Sequence, residues 1–194
     1  AAAEQRDGGW RGERAFQLVN KVEESSVITS FYFEPVDDNG VPDFEPGQFI
    51  SIVLDVAGNS LRRNYSLSNA PGETYLRISV KREPQGVVSN FLHNKLAPGD
   101  EVTLLPPCGD FVLRRNSKPL VLVTGGVGIT PAISMLNAEA SSGREVRFIH
   151  AAIDSKVHAF KAHVDQLAAA NENVSRLYVY SDPGQGCEPH ATGF

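Results

Sequence analysis

"LVLVTGGVGITP", Leu120 to Pro131, decides the fold. Its continuous apolar opening is what a strand buried on both faces of a parallel sheet requires. The glycines that follow let backbone approach a ligand closely. A helix opening after them would present free N–H groups and positive potential to an anion such as a pyrophosphate. Pro131 suits the first turn of that helix. The spacing is GGxGxxP, not GxGxxG, so the dinucleotide fingerprint is not met to the letter and a merely tight strand-to-helix turn stays open.

Forward from this stretch the chain alternates. "TPAISMLNAEASSG" (130–143) reads as a helix stopped by Gly143, and "EVRFIHAA" (145–152) as a second buried strand. "VHAFKAHVDQLAAANEN" (157–173) reads as a second helix and "RLYVYSD" (176–182) as a third strand. This order predicts a doubly wound α/β parallel-sheet domain. The tail, 183–194, has loop composition and is expected to add neither helix nor strand. The domain is therefore expected to be C-terminally incomplete, with its third strand open on one side.

Backward from the stretch the rhythm changes near "RRNSKP" (114–119). "AFQLVNKVEE", "VITSFYFEPV", "QFISIVLDV", "RNYSLSNA", "YLRISVKRE" and "EVTLLPPCG" are β-rich segments separated by turn signals such as Asn39-Gly40 and Pro46-Gly47. They predict an antiparallel six-stranded β-barrel, closed or nearly so. One helix, "VVSNFLHNKLAPGD", interrupts it, with Ser89 as expected cap and Phe91, Leu92 and Leu96 on one face. The expected organisation is a linker over 1–13, the barrel over 14–115 and a partial α/β domain over 116–194.

Within the barrel, "LRRNYSLS" places two arginines in a strand. Successive side chains alternate, so Arg63 and Tyr65 share one face while Arg62 takes the other. Arg63 and Tyr65 could offer a cation for phosphate and a ring for a flat ligand. The plain alternative for Tyr65 is a packed core aromatic. "GVVSN" (86–90) is a second helix start with free amides, although taken alone a merely capped helix is the favoured reading.

Composition narrows the function. The chain of 194 residues carries a formal charge of −5, which argues against a general nucleic-acid surface. No run of about 18 apolar residues occurs, so no membrane partner is expected. The start has no secretory pattern, and a reduced, cytoplasmic protein is the expectation. Cys108 and Cys187 are far apart, which excludes a four-cysteine cluster within these residues. Cys108 reads as a small packed residue. The five histidines share no ligand-like spacing, so no metal site is expected.

"PGQF" (46–49), "RRNYSLS" (62–68), "YLRISVKRE" (75–83), "GVVSNFLHN" (86–94), "PPCGDF" (106–111) and "GGVGITP" (125–131) occur in the order found in the ferredoxin–NADP reductase superfamily. With "GGWRGERAF" (8–16) and "HAA…VHAF" (150–160), the chain resembles more narrowly the reductase part of flavohaemoglobins. The resemblance implies a barrel that binds FAD and an α/β domain that takes NADH or NADPH as substrate. It implies Arg63 on the FAD pyrophosphate, and Tyr65 and Ser66, beside Asn64, against the isoalloxazine and ribityl chain. The amides of Val87, Val88 and Ser89 would meet phosphates. Phe49 stands where flavohaemoglobins usually have tyrosine, which keeps packing and removes a hydroxyl. Gly126, Val127, Gly128, Ile129, Thr130 and Pro131 would meet the nicotinamide nucleotide.

Flavohaemoglobins also carry a globin domain with haem, a Cys-Gly-Pro turn beside the nicotinamide and a Phe-Gly-Pro segment over the flavin. None of these is in the 194 residues. The implied activity is hydride transfer from the nicotinamide to FAD, then electron delivery to a globin haem or another acceptor. In a full-length flavohaemoglobin this supports nitric oxide dioxygenation. Two alternatives remain open: a stand-alone flavin or oxygenase-partner reductase, and a flavin-binding fragment without turnover. Asp154, after the second strand of the α/β domain, favours NADH, with Lys156 partly offsetting it.

Overall fold

The structure, a computed structural model, describes residues 9–37, 39–184, 187 and 190–193. Its first half is a six-stranded antiparallel sheet built from β1 (Arg14–Glu23), β2 (Ile28–Pro35), β3 (Phe49–Val56), β4 (Asn59–Ser66), β5 (Leu76–Lys81) and β6 (Glu101–Cys108). The order β4-β3-β6-β1-β2-β5 leaves β4 and β5 at the ends. The chain leaving β4 bridges them: Leu67 pairs with Ile78, and the Ser68 N–H donates to the Arg77 carbonyl at 2.8 Å. Curling a sheet onto itself removes edges that would otherwise need cover. Phe16, Phe31, Ile52, Ile78 and Leu104 fill the interior.

On β5 the alternation is visible in Leu76, Ile78 and Val80, which face this core. Ser79 points the other way and is buried as well, together with Ser30 of β2 and Ser68. The outer face of β2 and β5 is therefore polar yet shielded from water.

Helix α1 (Val87–Asn94) joins β5 to β6. Ser89 does not cap it. Gly86 holds the cap position, and the Ser89 hydroxyl, inside the first turn, donates to the Gly86 carbonyl at 3.2 Å and accepts from the Glu83 N–H at 3.2 Å. A Cβ on Gly86 would lie 2.3 Å from that hydroxyl, so a larger residue there would have to turn the Ser89 side chain away.

The second half is a parallel sheet with helices: β7 (Leu120–Gly125), a single 3-10 turn at Gly126–Gly128, α2 (Ile129–Glu139), β8 (Val146–Ala152), α3 (Lys161–Ala170), β9 (Val174–Tyr180) and β10 (Ala191–Thr192), in the order β10-β9-β8-β7. Leu122, Phe148, Tyr178 and Tyr180 pack with Ile133 and Leu136 of α2 and Val164 of α3.

Two sequence expectations fail here. The tail does form a strand, since β10 pairs with β9. That strand meets β9 only at Val179 and Tyr180, so among the described residues the third strand keeps an open side over most of its length, as expected, and β7 is the open strand at the other rim. Nor is β7 buried on both faces, because Val121 and Val123 are 53% and 72% exposed. An apolar run signals burial in general, and it does not report which strand a sheet leaves at its rim.

The halves interlock. Ile28 of β2 belongs to the α/β core, and the Ser26 N–H donates to the Lys156 carbonyl at 2.9 Å. The Arg77 guanidinium of β5 sits 5.2 Å from the centre of the Phe160 ring.

Candidate functional site

Two cavities lie along the seam between the halves. The first, about 510 Å³, is lined by the end of β4 (Arg63, Asn64, Tyr65, Ser66), the end of β5 (Ser79, Val80, Lys81), Glu83, the start of α1 (Gly86, Val88, Ser89) and the turn into α2 (Val127, Gly128, Thr130, Pro131). The second, about 400 Å³, lies over the C-terminal ends of β7 and β8. Val27, Ile28, Lys81, Gly125, Gly126, Val127, Ala151, Ala152, Ile153 and Val157 line it. Lys81 and Val127 belong to both. Ligands bind outside the carboxyl ends of parallel strands in folds of this kind.

Each wall has a local cause. Arg63 and Tyr65 share a face of β4, and the Arg63 guanidinium bends back to donate to the Arg62 carbonyl at 2.7 Å. Arg62 instead donates to the Ser51 hydroxyl at 3.0 Å and lines neither cavity. Tyr65 packs partly on the barrel core; burial pushes its phenol up, and the Arg63 charge pulls it back. At α1 the first amides have no intrahelical acceptor, because the ladder starts with the Asn90 N–H on the Gly86 carbonyl. Lys81 and Glu83 pair at 3.0 Å on the rim. Gly126, with φ +51°, lets the turn after β7 open without strain.

Arg63, Asn64, Tyr65, Ser66, Val88, Ser89, Val127, Gly128, Thr130 and Pro131 thus meet in one cavity, and Gly126 lies in the next. Three predicted residues do not line either. Phe49 starts β3, pairs with Ser66 and Cys108, and lies against Gly109. Val87 turns its side chain outward, and Ile129 is fully buried in the α/β core. Cys108 is exposed, not packed, although burial of its sulfur raises its thiol. Sequence reasoning missed Ser79, Val80, Lys81, Glu83 and the wall from Val27 and Ile28. The alternation of "YLRISVKRE" could have put Ser79 and Lys81 on the face of Arg77. Among the described residues no three His, Cys, Asp or Glu side chains are placed to hold a metal.

The donor set suits a dinucleotide: a guanidinium and free helix amides for phosphate, an aromatic ring for a flat group, and a glycine turn with φ +51° at Gly126. Two family models match, an oxidoreductase FAD-binding domain over residues 15–113 and an oxidoreductase NAD-binding domain over residues 122–192. The chain is 35% identical to the Flavohem-like FAD/NAD-binding domain of nitric oxide dioxygenase from Vibrio cholerae, with a TM-score of 0.87 over 93% of this chain and 78% of that one. It belongs to the flavohaemoprotein family, as its FAD- and NAD-binding reductase portion.

A flavohaemoprotein from Pseudomonas aeruginosa is 51% identical over 100% of this chain and 49% of its own length. The chain thus spans about half the length of the curated flavohaemoproteins it matches. The flavohaemoglobin of Malassezia yamatoensis, solved with bound FAD and haem, shares the fold at a TM-score of 0.86 and 22% identity. This reductase portion is an NAD(P)H-dependent FAD oxidoreductase. The haem of flavohaemoproteins belongs to a globin domain outside the 194 residues.

Proposed function

We propose that the first cavity would hold FAD and the second the nicotinamide nucleotide, with Lys81 and Val127 forming the wall that the two sites share. The observation that carries this is the shared wall: the two cavities meet at those residues and nowhere else along their linings. FAD supplies the chemistry, taking two electrons as hydride and releasing them singly. The chain supplies position and charge. Arg63 and the amides at the start of α1 hold phosphate, Tyr65 and Ser66 orient the ring system, and the glycine turn after β7 lets the nucleotide approach the backbone. The acceptor is the globin haem of a full-length flavohaemoprotein, where these electrons support nitric oxide dioxygenation. NADH is preferred to NADPH. Asp154 follows β8, where a 2′-phosphate would lie, and its carboxylate is fixed by the Lys156 and Val157 N–H groups at 2.8 and 3.1 Å.

Two alanine variants test the site. Arg63→Ala should weaken FAD binding by roughly ten- to a hundred-fold, the loss of one charge-assisted contact of about 1.5–3 kcal/mol. Arg62→Ala should leave affinity within about twofold of the parent. Equal retention of FAD by both, measured by flavin fluorescence titration, would remove Arg63 from the site.

A further inference from the structure

The shielded polar face of the barrel carries a continuous chain of hydroxyls. Ser30 on β2 and Ser79 on β5 are cross-strand partners, and their hydroxyl oxygens are 2.7 Å apart. Ser30 donates to the Glu24 carboxylate at 2.6 Å. Ser79 lines the flavin cavity, whereas Glu24 lines a separate cavity of about 420 Å³ between the end of β1 and the start of α3. The Ser68 hydroxyl joins Ser79 at 2.7 Å and is itself held by the Arg77 Nε–H at 3.0 Å. Both relay serines are fully or almost fully buried. A hydrogen-bonded path therefore crosses the barrel wall from one cavity to the other.

We propose that Glu24, Ser30 and Ser79 form a proton relay that connects the flavin cavity with solvent in the interface cavity. It rests on the reading that the first cavity holds FAD, whose uptake and release of electrons is accompanied by one proton beyond the hydride. With Glu24 ionised, the Ser30 and Ser79 hydroxyls point toward it, while the Ser68 hydroxyl has the Arg77 carbonyl at 3.2 Å as a second acceptor. The Arg77 N–H donates to Ser68, Ser68 lies beside Ser79, Ser79 donates to Ser30, and Ser30 to the carboxylate. Arg77 has no lone pair to offer and fixes that end. With Glu24 protonated, its O–H donates to Ser30, Ser30 to Ser79, and Ser79 to an acceptor in the flavin cavity. In the inward step the Glu24 O–H bond breaks as Ser30 gains that proton. Ser30 passes its own to Ser79, and Ser79 passes its own to a basic atom in the cavity. Glu24 then regains a proton from water. The outward step reverses each transfer, and no other reactant is needed.

Glu24 is suited to hold the proton. Burial pushes its carboxyl above the ordinary carboxylate range, with the Ser30 hydroxyl and the Arg77 charge pulling it back. Glu23, the last residue of β1, faces the same cavity, as do His158, Lys161, His163 and Asp165 from the α/β half. Lys161 is already paired with Asp165 at 2.8 Å, which leaves Glu24 without a cation of its own on that side.

The bland alternative is a network that only satisfies buried hydroxyls. It predicts equal effects wherever the network is cut, and the relay does not. In flavin-loaded protein reduced with NADH and reoxidised with ferricyanide, Glu24→Gln and Ser30→Ala should each slow the proton-linked phase by at least about tenfold. Both should also flatten its pH profile. Ser30→Thr, which keeps the hydroxyl, should restore rate and profile. Ser68→Ala, off the path but in the network, should leave the profile in place. In protein without FAD, the Glu24 side-chain carbon followed by NMR should titrate above ordinary glutamates, and higher still in Ser30→Ala. Normal FAD binding with an unchanged pH profile in Glu24→Gln and Ser30→Ala would overturn the relay alone. Failure of the parent to bind FAD would overturn the site reading and the relay together.

Discussion

The two halves of the molecule bury polarity in different ways. In the barrel, Ser30, Ser68, Ser79 and Asn69 are buried on the outer face, and each has partners within the chain. In the α/β half, the core takes in His150, His158, Tyr178 and Tyr180, and among the described residues the Ser134 hydroxyl and His158 Nε2 find no partner. Hydroxyls and amides do not titrate near neutrality, whereas imidazoles do. The barrel also closes its sheet, while the α/β sheet leaves β7 at the rim. The α/β core therefore carries buried imidazoles that acid can charge, whereas the buried polar groups of the barrel's outer face are mainly hydroxyls and amides.

Acid should separate the halves most strongly. His150 holds the Thr124 hydroxyl at 2.7 Å, His158 holds the Tyr180 hydroxyl at 2.8 Å, and the two rings lie 4.5 Å apart. Burial pushes His150 down to about 4 and His158 to about 3, the latter with help from its neighbour. Both are neutral when folded. The unfolded chain gains a proton at each near pH 6.5, so stability is present above that value and is lost as pH falls toward the folded values. At pH 5 the loss should be roughly 2 kcal/mol per histidine, about 4 for the pair. The barrel has one comparable group, His93, lowered by burial and held by the Val80 carbonyl at 2.9 Å. Hydrogen exchange at pH 7 and pH 5, corrected for intrinsic rates, should show β8 and β9 losing protection well before β1 to β6. Equal loss in both sheets would break the comparison.

The joint between the halves is the next place to press. Gly47 of the barrel, with φ +105°, lies where a Cβ would be 2.1 Å from the Phe111 carbonyl oxygen and 2.6 Å from the Met135 methyl carbon on α2. A side chain there must displace backbone, and the positive φ adds strain. Gly47→Ala should cost roughly 2–4 kcal/mol. Gly40→Ala, with nothing within 4 Å, should stay within about 0.5 kcal/mol. Trp10, the sole tryptophan, stacks near Phe16 in the barrel and gives a local signal for denaturant titration. If Gly47→Ala leaves the midpoint unchanged, the halves are not held together at this turn.

Much of this was legible in the sequence because it depends on neighbours along the chain. The alternation in "YLRISVKRE" and the turn pairs mark the barrel strands, and the glycines before Pro131 mark the start of α2. The division of Arg62 from Arg63 between opposite faces follows from the pleat alone. What was not legible depends on partners remote in sequence. Ser79 joins the cavity and the hydroxyl chain only because β2 lies beside β5, and "VITSFY" carries no sign of that pairing. Val27 and Ile28 read as barrel residues, yet they form a wall over β7 and β8. Ser89 looks like a cap by composition. It sits three residues too late, because Gly86 takes the cap position. The two-residue strand β10 is too short for any pattern to show.

The smallest effect concerns the two faces of β7. Leu122 points toward α2 and is buried, whereas Val123, next in the chain, is 72% exposed. Val123 has Ile149 and Leu177 beside it along the same row of the sheet, and among the described residues no helix packs on that side. Leu122→Ala should cost roughly 2–5 kcal/mol, as for any buried leucine that leaves a cavity. Val123→Thr keeps the β-branched shape and adds a hydroxyl that water can reach, so it should stay within about 0.5 kcal/mol. The measurement is urea unfolding of the 194-residue chain, followed by exchange of the β7 amides. A penalty above about 1 kcal/mol for the threonine would mean an unpartnered hydroxyl in a dry environment. The outer row of β7, β8 and β9 would then be packed against something in solution, and the contrast between a closed barrel and an open sheet would fall.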